Sequence, residues 1–487
     1  MPQQEQFAGA GVGAGNRGSL LLAVAFLLLA LLVLSIPFTT YALDMAMTLA
    51  LVAIPMSYGF LRQKALRFDY FEIIYPISIL FFLYYGFSTL YLKQNVMVLQ
   101  YRSLLYWLTP ALALALVGYI AMVSGYLTLG RRARSSAFAN LVPSGIAFYL
   151  LVGGVGFMGQ LANAAQVRSV TGGRGISGIL SIGQQLSLLF FFGWFLLWYM
   201  HWSKRLDKIR RNVLFALYVP AALVIMYAHV GSKEKAIIMV ALPTVAFWYA
   251  RRKLPWKTIL AVVLITIFVI FPVYNTFRSQ DKRLDTARRL DRTFDVATRW
   301  NESGFLDQSL RAFFKRMAIV TSVAAVLKNV PDHVDYRHGD TLLLAPIGLL
   351  VPRFLWPDKP VIGIGREFGT TFQLVSYVDK TTRIAPSLIS EFYWNFGFPA
   401  VVIGMFLVGG CYRFVYQKFG TLAGFDPMRK GIYILLFLRL IHLEGSFGST
   451  LGVVVKSYVI LHILIVVSKK IGLLGEMTDV ATSVEPA

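Results

Sequence analysis

The chain has 487 residues, of which 57% are hydrophobic and 15% are charged. Apolar runs of about 20 residues recur along it, which excludes a soluble domain and predicts an all-α polytopic membrane protein. The 47 lysines and arginines exceed the 24 acidic residues and give a formal net charge of +23. In a membrane protein this excess indicates cytoplasmic anchoring and contact with membrane lipid, and we expect no nucleic-acid partner. The single cysteine, Cys411, excludes an intrachain disulfide and a cysteine-based metal cluster.

The hydropathy pattern predicts about twelve transmembrane helices. They are expected at about residues 18–37, 41–60, 71–92, 105–128, 138–158, 178–200, 213–230, 236–250, 258–277, 396–416, 431–447 and 449–468. Basic clusters follow every second span, which by the positive-inside rule places both termini in the cytoplasm.

These spans divide the chain into five parts. They are a disordered cytoplasmic tail at 1–17, helices one to nine at 18–277, a long periplasmic loop with short helices at 278–395, helices ten to twelve at 396–470, and a cytoplasmic tail at 471–487. Within the loop, the apolar run Leu342–Val351 is too short to cross a bilayer and is followed by Pro352. We interpret it as a re-entrant or interfacial segment.

Several common chemistries are excluded by missing motifs. The chain has no P-loop motif and no H-E-x-x-H motif, which argues against a P-loop ATPase and a hydrolytic zinc site. It also has no D-x-D pair, which disfavours a metal-bound nucleotide-sugar donor. We therefore expect neither a metal nor another cofactor.

A group of cations lies on the predicted outer side, against the positive-inside rule. Its members are Arg168, Arg174, Lys233, Lys235, Arg278, Arg353, Lys359, Arg366 and Arg383. Cations gathered in this way suit an anionic ligand, and the planar fork of arginine binds two phosphate oxygens at once. A diphosphate at the membrane surface is the favoured ligand. The alternative for each of these residues is a side chain that merely anchors the protein at the membrane edge.

Two carboxylates complete the set of candidate residues. Glu391 precedes the aromatic and polar residues Tyr393, Trp394 and Asn395, a composition that suits sugar stacking beside a buried acid or base. Glu444 lies near His442 at the outer end of span eleven, where ionisable residues are usually functional. The alternative for Glu444 is an ion pair with Arg439 that holds helices together.

The chain resembles the Wzy-type oligosaccharide repeat-unit polymerases. The resemblance is carried by the motif P-R-F-L-W-P-D-K-P at 352–360, I-A-P-S at 384–387 and E-F-Y-W-N-F-G-F-P at 391–399, together with Gly231-Ser-Lys before span eight. These enzymes are similar in turn to the O-antigen ligases and to the wider GT-C class of membrane glycosyltransferases. The resemblance covers spans seven to twelve.

The resemblance implies a metal-independent glycosyltransferase in the inner (cytoplasmic) membrane of a bacterium. The enzyme would use an undecaprenyl-diphosphate-linked oligosaccharide. The enzyme would transfer this glycan onto the terminal sugar of another lipid-linked repeat unit, with a chain-length regulator and a flippase as further partners. Glu391 would take the proton of the acceptor hydroxyl, while Arg353, Arg366 and Arg383 stabilise the departing diphosphate. The other cations would bind the diphosphate, and Tyr393, Trp394, Asn395, His442 and Glu444 would bind substrate.

Three other functions remain as alternatives, namely a ligase, a flippase or exporter, and a non-catalytic scaffold of a cell-wall complex. An O-antigen-type ligase would need the same cations and would differ only in its acceptor pocket. A flippase or exporter of lipid-linked oligosaccharide should instead show repeated halves and charges inside its helices, whereas the charges here gather in one outer loop.

Overall fold

The computed structural model describes residues 41–63, 69–94, 99–129, 138, 140–171, 183, 185–229, 233–253, 255–266, 277, 288, 291–293, 295, 311, 313–314, 316–344, 351, 356, 364–378, 382–384, 386–420 and 425–476. At 59–63, 99–101, 167–171, 233 and 343–344 the description is confined to the backbone. The predicted first span, 18–37, lies outside the described residues.

Most of the described chain is helical, as its hydropathy predicts. The helices are α1 (Ala42–Gln63), α2 (Ile74–Gln94), α3 (Leu108–Thr128), α4 (Ile146–Thr171), α5 (Leu188–Trp202), α6 (Lys208–Ala228), α7 (Lys233–Arg251), α8 (Trp256–Ile265), α9 (Val320–Asn329), α10 (Ile364–Thr371), α11 (Ser387–Val415), α12 (Pro427–Leu440) and α13 (Phe447–Lys470). Two short strands, β1 (Leu141–Pro143) and β2 (Leu474–Glu476), pair antiparallel. This small sheet was not predicted, because three-residue strands leave no periodicity in the sequence.

Six of the described helices are long and apolar enough to cross a membrane: α2, α3, α4, α6, α11 and α13. Helix α6 illustrates their surface, because it exposes the large apolar side chains Ile209, Leu217 and Leu223. A contiguous apolar face of this kind is unfavourable in water and suits the acyl chains of a bilayer.

The chain forms two compact units. The first comprises the described residues up to 134, those from 314 to 422 and those from 437 to 455; the second comprises 135–313, 423–436 and the residues after 455. Each unit is described separately below.

Helices α3 and α11 form the centre of the first unit, and they meet backbone to backbone. A Cβ atom added to Gly125 would collide with the carbonyl oxygen of Phe406, and one added to Gly409 would collide with that of Met122. Glycine on both helices therefore sets their separation. Close approach through small residues is the usual way for helices to associate in lipid, where apolar burial supplies no driving force between them.

A buried carboxylate joins α2 and α3 to the far end of α11 in the same unit. Glu72 precedes α2, and its Oε1 atom accepts hydrogen bonds from the hydroxyls of Tyr58 at 2.9 Å and Tyr126 at 2.6 Å. The same oxygen lies 3.3 Å from Nη1 of Arg413. The charge of Glu72 is thus compensated by a cation and two hydroxyl donors, as a buried carboxylate requires.

The second unit is held together by aromatic side chains of α5 and α6. The hydroxyl of Tyr218 on α6 donates to the carbonyl oxygen of Tyr149 on α4 at 2.7 Å. The indole of Trp194 on α5 donates to the carbonyl oxygen of Met239 on α7 at 3.0 Å. Tyr218 and Trp194 therefore satisfy their polar atoms while filling the space between helices.

Candidate active site

Helix α11 is broken near its start. Phe396 and Gly397 have non-helical backbone angles, and the φ of Gly397 is +70°, a value that glycine tolerates without strain. Pro399 has no N–H group, so the carbonyl oxygen of Asn395 receives no hydrogen bond from the next turn. The break divides α11 into a short first segment, which carries Glu391, and a long second segment.

This break explains a difference from the sequence-based expectation. The predicted start of span ten, residue 396, coincides with the break. Glu391 and the aromatic residues after it were expected in the loop before that span, whereas they lie on the first two turns of α11. Gly397 and Pro399 were predicted at the beginning of the membrane span, whereas they interrupt a longer helix that begins at Ser387.

The carbonyl oxygens freed by the break are satisfied by another segment of the same unit. The N–H of Arg337 donates to the carbonyl oxygen of Trp394 at 3.0 Å, and the N–H of His338 donates to that of Asn395 at 3.2 Å. The segment that follows α9 is therefore attached to the end of the short helical segment.

The side chain of Asn395 strengthens this attachment. Its Oδ1 atom accepts a hydrogen bond from the N–H of Gly339 at 2.9 Å, and its Nδ2 atom donates to Oγ1 of Thr341 at 2.7 Å. The same Nδ2 atom donates to the carbonyl oxygen of Glu391 at 2.7 Å. Asn395, expected to bind substrate, thus has a structural role in which all of its contacts are with the protein backbone and Thr341.

Glu391 is the central residue of the site. Its side chain is 0% exposed, and its Oε2 atom accepts a hydrogen bond from the N–H of Phe447 at 2.5 Å. Thr341 lies beside the carboxyl group. The second oxygen, Oε1, is buried and has no hydrogen-bond partner within the part of the chain that the structure describes. A buried carboxyl oxygen without a hydrogen bond lowers the stability of the folded protein. A hydroxyl group or a water molecule that donates to this oxygen would restore that stability.

An aromatic group lies on the next turn. Trp394 is 1% exposed, and its ring centroid lies 5.8 Å from that of Phe368 and 5.1 Å from that of Phe372. The guanidinium of Arg337 lies 4.7 Å from the Trp394 ring centroid and pairs with Glu367 on α10. Trp394, expected to stack on a sugar, is therefore covered by protein side chains, whereas Tyr393 is half-buried.

Two of the predicted cations lie close together in the backbone trace. Arg366 is exposed on α10, and Arg383 is exposed in the segment that leads to α11. The N–H of Ile384 donates to the carbonyl oxygen of Gly365 at 2.9 Å. This hydrogen bond joins the two segments at the residues adjacent to both arginines.

The segment between α12 and α13 lies against the first turn of α11. The N–H of Leu388 donates to the carbonyl oxygen of Leu443 at 3.4 Å. Glu444 forms an ion pair with Arg316, with Oε2 and Nη2 2.9 Å apart. The alternative that the sequence left open for Glu444 was an ion pair with Arg439. His442 is exposed, and its Nδ1 atom lies 3.0 Å from the carbonyl oxygen of Leu438.

The remaining predicted cations are distributed differently. Lys235 is buried in the second unit, where its Nζ atom lies 3.7 Å from Glu234 and 5.3 Å from the ring centroid of Phe191. Arg168 and Lys233 lie in α4 and α7 at positions described by their backbone alone. Arg174, Arg278, Arg353 and Lys359 lie outside the described residues.

Sequence reasoning missed Arg337 and Arg316. Arg337 follows the polar run D-H-V-D-Y, which has no periodicity to distinguish one charge from another. Arg316 lies in the predicted outer loop at 278–395, among many other charged residues. Neither position carried a motif, and their roles depend on contacts with residues far along the chain.

The helices suited to a bilayer define a helical membrane protein. The chain belongs to the family described as Domain of unknown function (DUF8712), whose model matches residues 75–476. No curated protein and no solved structure matches the chain. The matched residues include the whole of the site around Glu391.

Proposed function

We propose that the protein is a membrane glycosyltransferase that polymerises lipid-linked oligosaccharide repeat units. The observation that carries the proposal is the buried carboxyl group of Glu391, which uses one oxygen to hold its position and leaves Oε1 without a partner among the described residues. A carboxylate fixed in this way is suited to accept a proton from a hydroxyl group.

In the proposed reaction, a hydroxyl of the acceptor sugar attacks the anomeric carbon of the donor. A new carbon–oxygen bond forms, the bond between the anomeric carbon and the diphosphate breaks, and the hydroxyl proton passes to Oε1 of Glu391. The undecaprenyl diphosphate leaves with the bonding electron pair. The reaction balances without a nucleotide, a metal or a redox partner.

Arg366 and Arg383 are the described cations that we assign to the leaving diphosphate. Both are exposed, and their segments are joined next to the two residues. Guanidinium groups held at this point would stabilise the negative charge that develops as the glycosidic bond breaks. We assign the same role to Arg353.

The proposal includes the twelve-span arrangement, with both termini in the cytoplasm of a bacterium and Glu391 towards the periplasm. In a Cys411→Ser background, a cysteine at Thr370 should react with an impermeant thiol reagent added outside intact cells. A cysteine at Ser203 should react only after the membrane is permeabilised. The reverse pattern would place the site on the cytoplasmic side and remove the periplasmic donor from the proposal.

The lipid-linked saccharides that accumulate after deletion of the gene test the function itself. A polymerase leaves single repeat units on the lipid, and complementation with the intact gene should restore long chains. Full-length polymer retained on the lipid would indicate a ligase instead. Repeat units confined to the inner leaflet would indicate a flippase or exporter.

A further inference from the structure

A π-helical turn follows directly after the segment that is attached to the break in α11. It comprises Asp340–Leu344. Turns of this kind are rare in proteins and are found frequently at functional sites. Asp340 is exposed, whereas the next residue, Thr341, is buried. The turn therefore directs the hydroxyl group of Thr341 into the interior of the first unit.

The oxygen of this hydroxyl group accepts a hydrogen bond. Nδ2 of Asn395 lies 2.7 Å from Oγ1 of Thr341, and because an amide nitrogen can only donate, the oxygen of Thr341 is the acceptor. The orientation of the Asn395 side chain is fixed independently, since its Oδ1 atom accepts from the N–H of Gly339 at 2.9 Å. The single hydroxyl proton of Thr341 is therefore directed away from Asn395, towards another acceptor.

The carboxyl group of Glu391 lies within reach of that proton. Its side chain lies beside that of Thr341 and interacts with it through a hydrogen bond. The Nδ2 atom of Asn395 also donates to the carbonyl oxygen of Glu391 at 2.7 Å, so one amide group holds the Thr341 hydroxyl next to Glu391. Within the part of the chain that the structure describes, Oε1 of Glu391 has no hydrogen-bond partner. The oxygen that faces Thr341 is therefore Oε2.

We propose that Thr341 is a positioning residue for Glu391. Its hydroxyl donates to Oε2, the oxygen that also accepts from the N–H of Phe447. Two donors on Oε2 fix the plane of the carboxyl group and leave Oε1 for the hydroxyl of the acceptor sugar. This inference rests on the function proposed for Glu391, and it adds a residue that acts on the base and not on the substrate.

The two donors belong to different segments of the unit. The N–H of Phe447 comes from the start of α13, and Thr341 comes from the π-helical turn, where Asn395 holds it from the last residue before the break. Hydrogen bonds to an ionised carboxylate are stronger than those between neutral groups, and a buried carboxylate depends on them. Without the hydroxyl, one donor would remain, and the carboxyl group could turn away from the geometry that proton transfer requires.

The first test measures turnover of the full-length protein in proteoliposomes loaded with lipid-linked repeat units. Thr341→Val removes the hydroxyl and keeps the branched shape of the side chain. Turnover at saturating donor should fall by roughly tenfold or more, because a hydrogen bond to a charged group is lost. The KM for the donor should stay at the wild-type value, because the cations assigned to the diphosphate are unchanged.

Two further variants show whether the hydroxyl itself is responsible. Thr341→Ser keeps the hydroxyl and should restore most of the lost turnover. The matched control, Thr321→Val, removes another buried hydroxyl of the first unit, one that donates to the carbonyl oxygen of Ala318 at 2.7 Å. This control should work at the wild-type rate. Wild-type turnover by Thr341→Val, or a Thr341→Ser protein as slow as Thr341→Val, would overturn the proposal.

The second test does not depend on turnover. The infrared band of the Glu391 carboxyl group is the band that disappears in Glu391→Gln, and it should shift in Thr341→Val but not in Thr341→Ser or Thr321→Val. An unshifted band in Thr341→Val would overturn the proposal even if turnover is lost. A shifted band in a protein that does not polymerise repeat units would show that the proposed function is wrong and that Thr341 nevertheless positions Glu391.

A further substitution covers the case in which valine at position 341 prevents folding. Thr341→Cys replaces the hydroxyl by a thiol, which is a weaker donor. Its turnover should lie between that of the wild type and that of Glu391→Gln, and its Glu391 band should shift. A folded Thr341→Cys protein with the wild-type rate and an unshifted band would contradict the positioning role.

Discussion

The carboxylate of Glu391 accepts a hydrogen bond from the backbone N–H of Phe447, and this contact joins the first segment of α11 to the start of α13. The donor belongs to the main chain, so no substitution at position 447 other than proline removes it. The rings of Phe392 and Phe447, 5.5 Å apart, pack beside the contact. The position of the carboxyl group is therefore fixed by two helices at once.

Replacing Glu391 by glutamine should abolish most of the activity and preserve the fold. The glutamine side-chain oxygen can accept from the N–H of Phe447, but the amide cannot take a proton. We expect turnover to fall by about 10²–10⁴, the usual contribution of a general base. The measurement is the initial rate of polymerisation in proteoliposomes loaded with lipid-linked repeat units.

The control for this prediction is Glu476→Gln, which alters an exposed carboxylate of β2 that pairs with Lys469. It should leave the rate unchanged. A Glu391→Gln enzyme that works at the wild-type rate would show that another group takes the proton, and the interpretation of the unpartnered oxygen would then be wrong.

Replacing Arg366 or Arg383 by alanine should slow turnover without preventing the donor from binding. Each arginine is expected to stabilise the diphosphate most strongly when the glycosidic bond is breaking and the diphosphate carries its full charge. Turnover should therefore fall by roughly 10²–10³ in each alanine variant. Lysine at either position should restore only part of the rate, because an ammonium group lacks the planar fork of a guanidinium.

The measurement is turnover at saturating donor for each variant, compared with Arg292→Ala. Arg292 is an exposed arginine of the same predicted outer loop that we have not assigned to the site. If all three alanine variants lose the same fraction of activity, the loop acts through its net charge and not through a diphosphate-binding geometry.

Replacing Asn395 by alanine should destabilise the first unit. The substitution leaves the N–H of Gly339 and the hydroxyl of Thr341 without the hydrogen bonds that they make in the native protein. Buried polar groups abandoned in this way cost about 1–3 kcal/mol each. The free energy of unfolding, measured by denaturant titration in mild detergent, should fall accordingly, whereas alanine at the exposed Asn212 should have no effect.

Replacing Gly125 by alanine should destabilise the pair α3 and α11. The added methyl group meets the backbone carbonyl of Phe406, which cannot rotate away as a side chain can. Overpacking of this kind costs typically about 1–3 kcal/mol. Gly154 is a matched control, because a Cβ atom there meets no heavy atom within 4 Å. Alanine at Gly154 should be neutral or stabilising by up to about 1 kcal/mol, since alanine favours the helix.

Hydropathy and positive charge predicted the helical membrane class and the approximate positions of α2, α3, α6 and α13. Membrane-spanning helices can be recognised in a single sequence because they depend on the hydropathy of about 20 consecutive residues and not on contacts with distant parts of the chain. The predicted start of α11, residue 396, is later than its observed start at Ser387, because the polar residues Glu391 and Asn395 interrupt the apolar pattern between them. The donors at Arg337 and His338 satisfy the carbonyl oxygens at the break, and the sequence gives no sign of this contact.

Much of the site follows from contacts between distant residues. The sequence singled out Glu391, Arg366 and Arg383 through their composition and position. It gave no reason to join Glu444 with Arg316, which is 128 residues earlier (444 minus 316) and forms its ion pair through the fold. The role of Asn395 was likewise hidden, because an asparagine beside aromatic residues suits a ligand as well as it suits a backbone turn.

The backbone contact between α3 and α11 limits how this unit can move. A displacement of α11 that carried Gly409 away from Met122 and Phe406 away from Gly125 would lose the close backbone packing between the two helices. The long segment of α11 and its partner are therefore expected to travel as a single rod. A movement of Glu391 relative to this pair of helices would therefore take place at the break in α11, where the positive φ of Gly397 already departs from the helix.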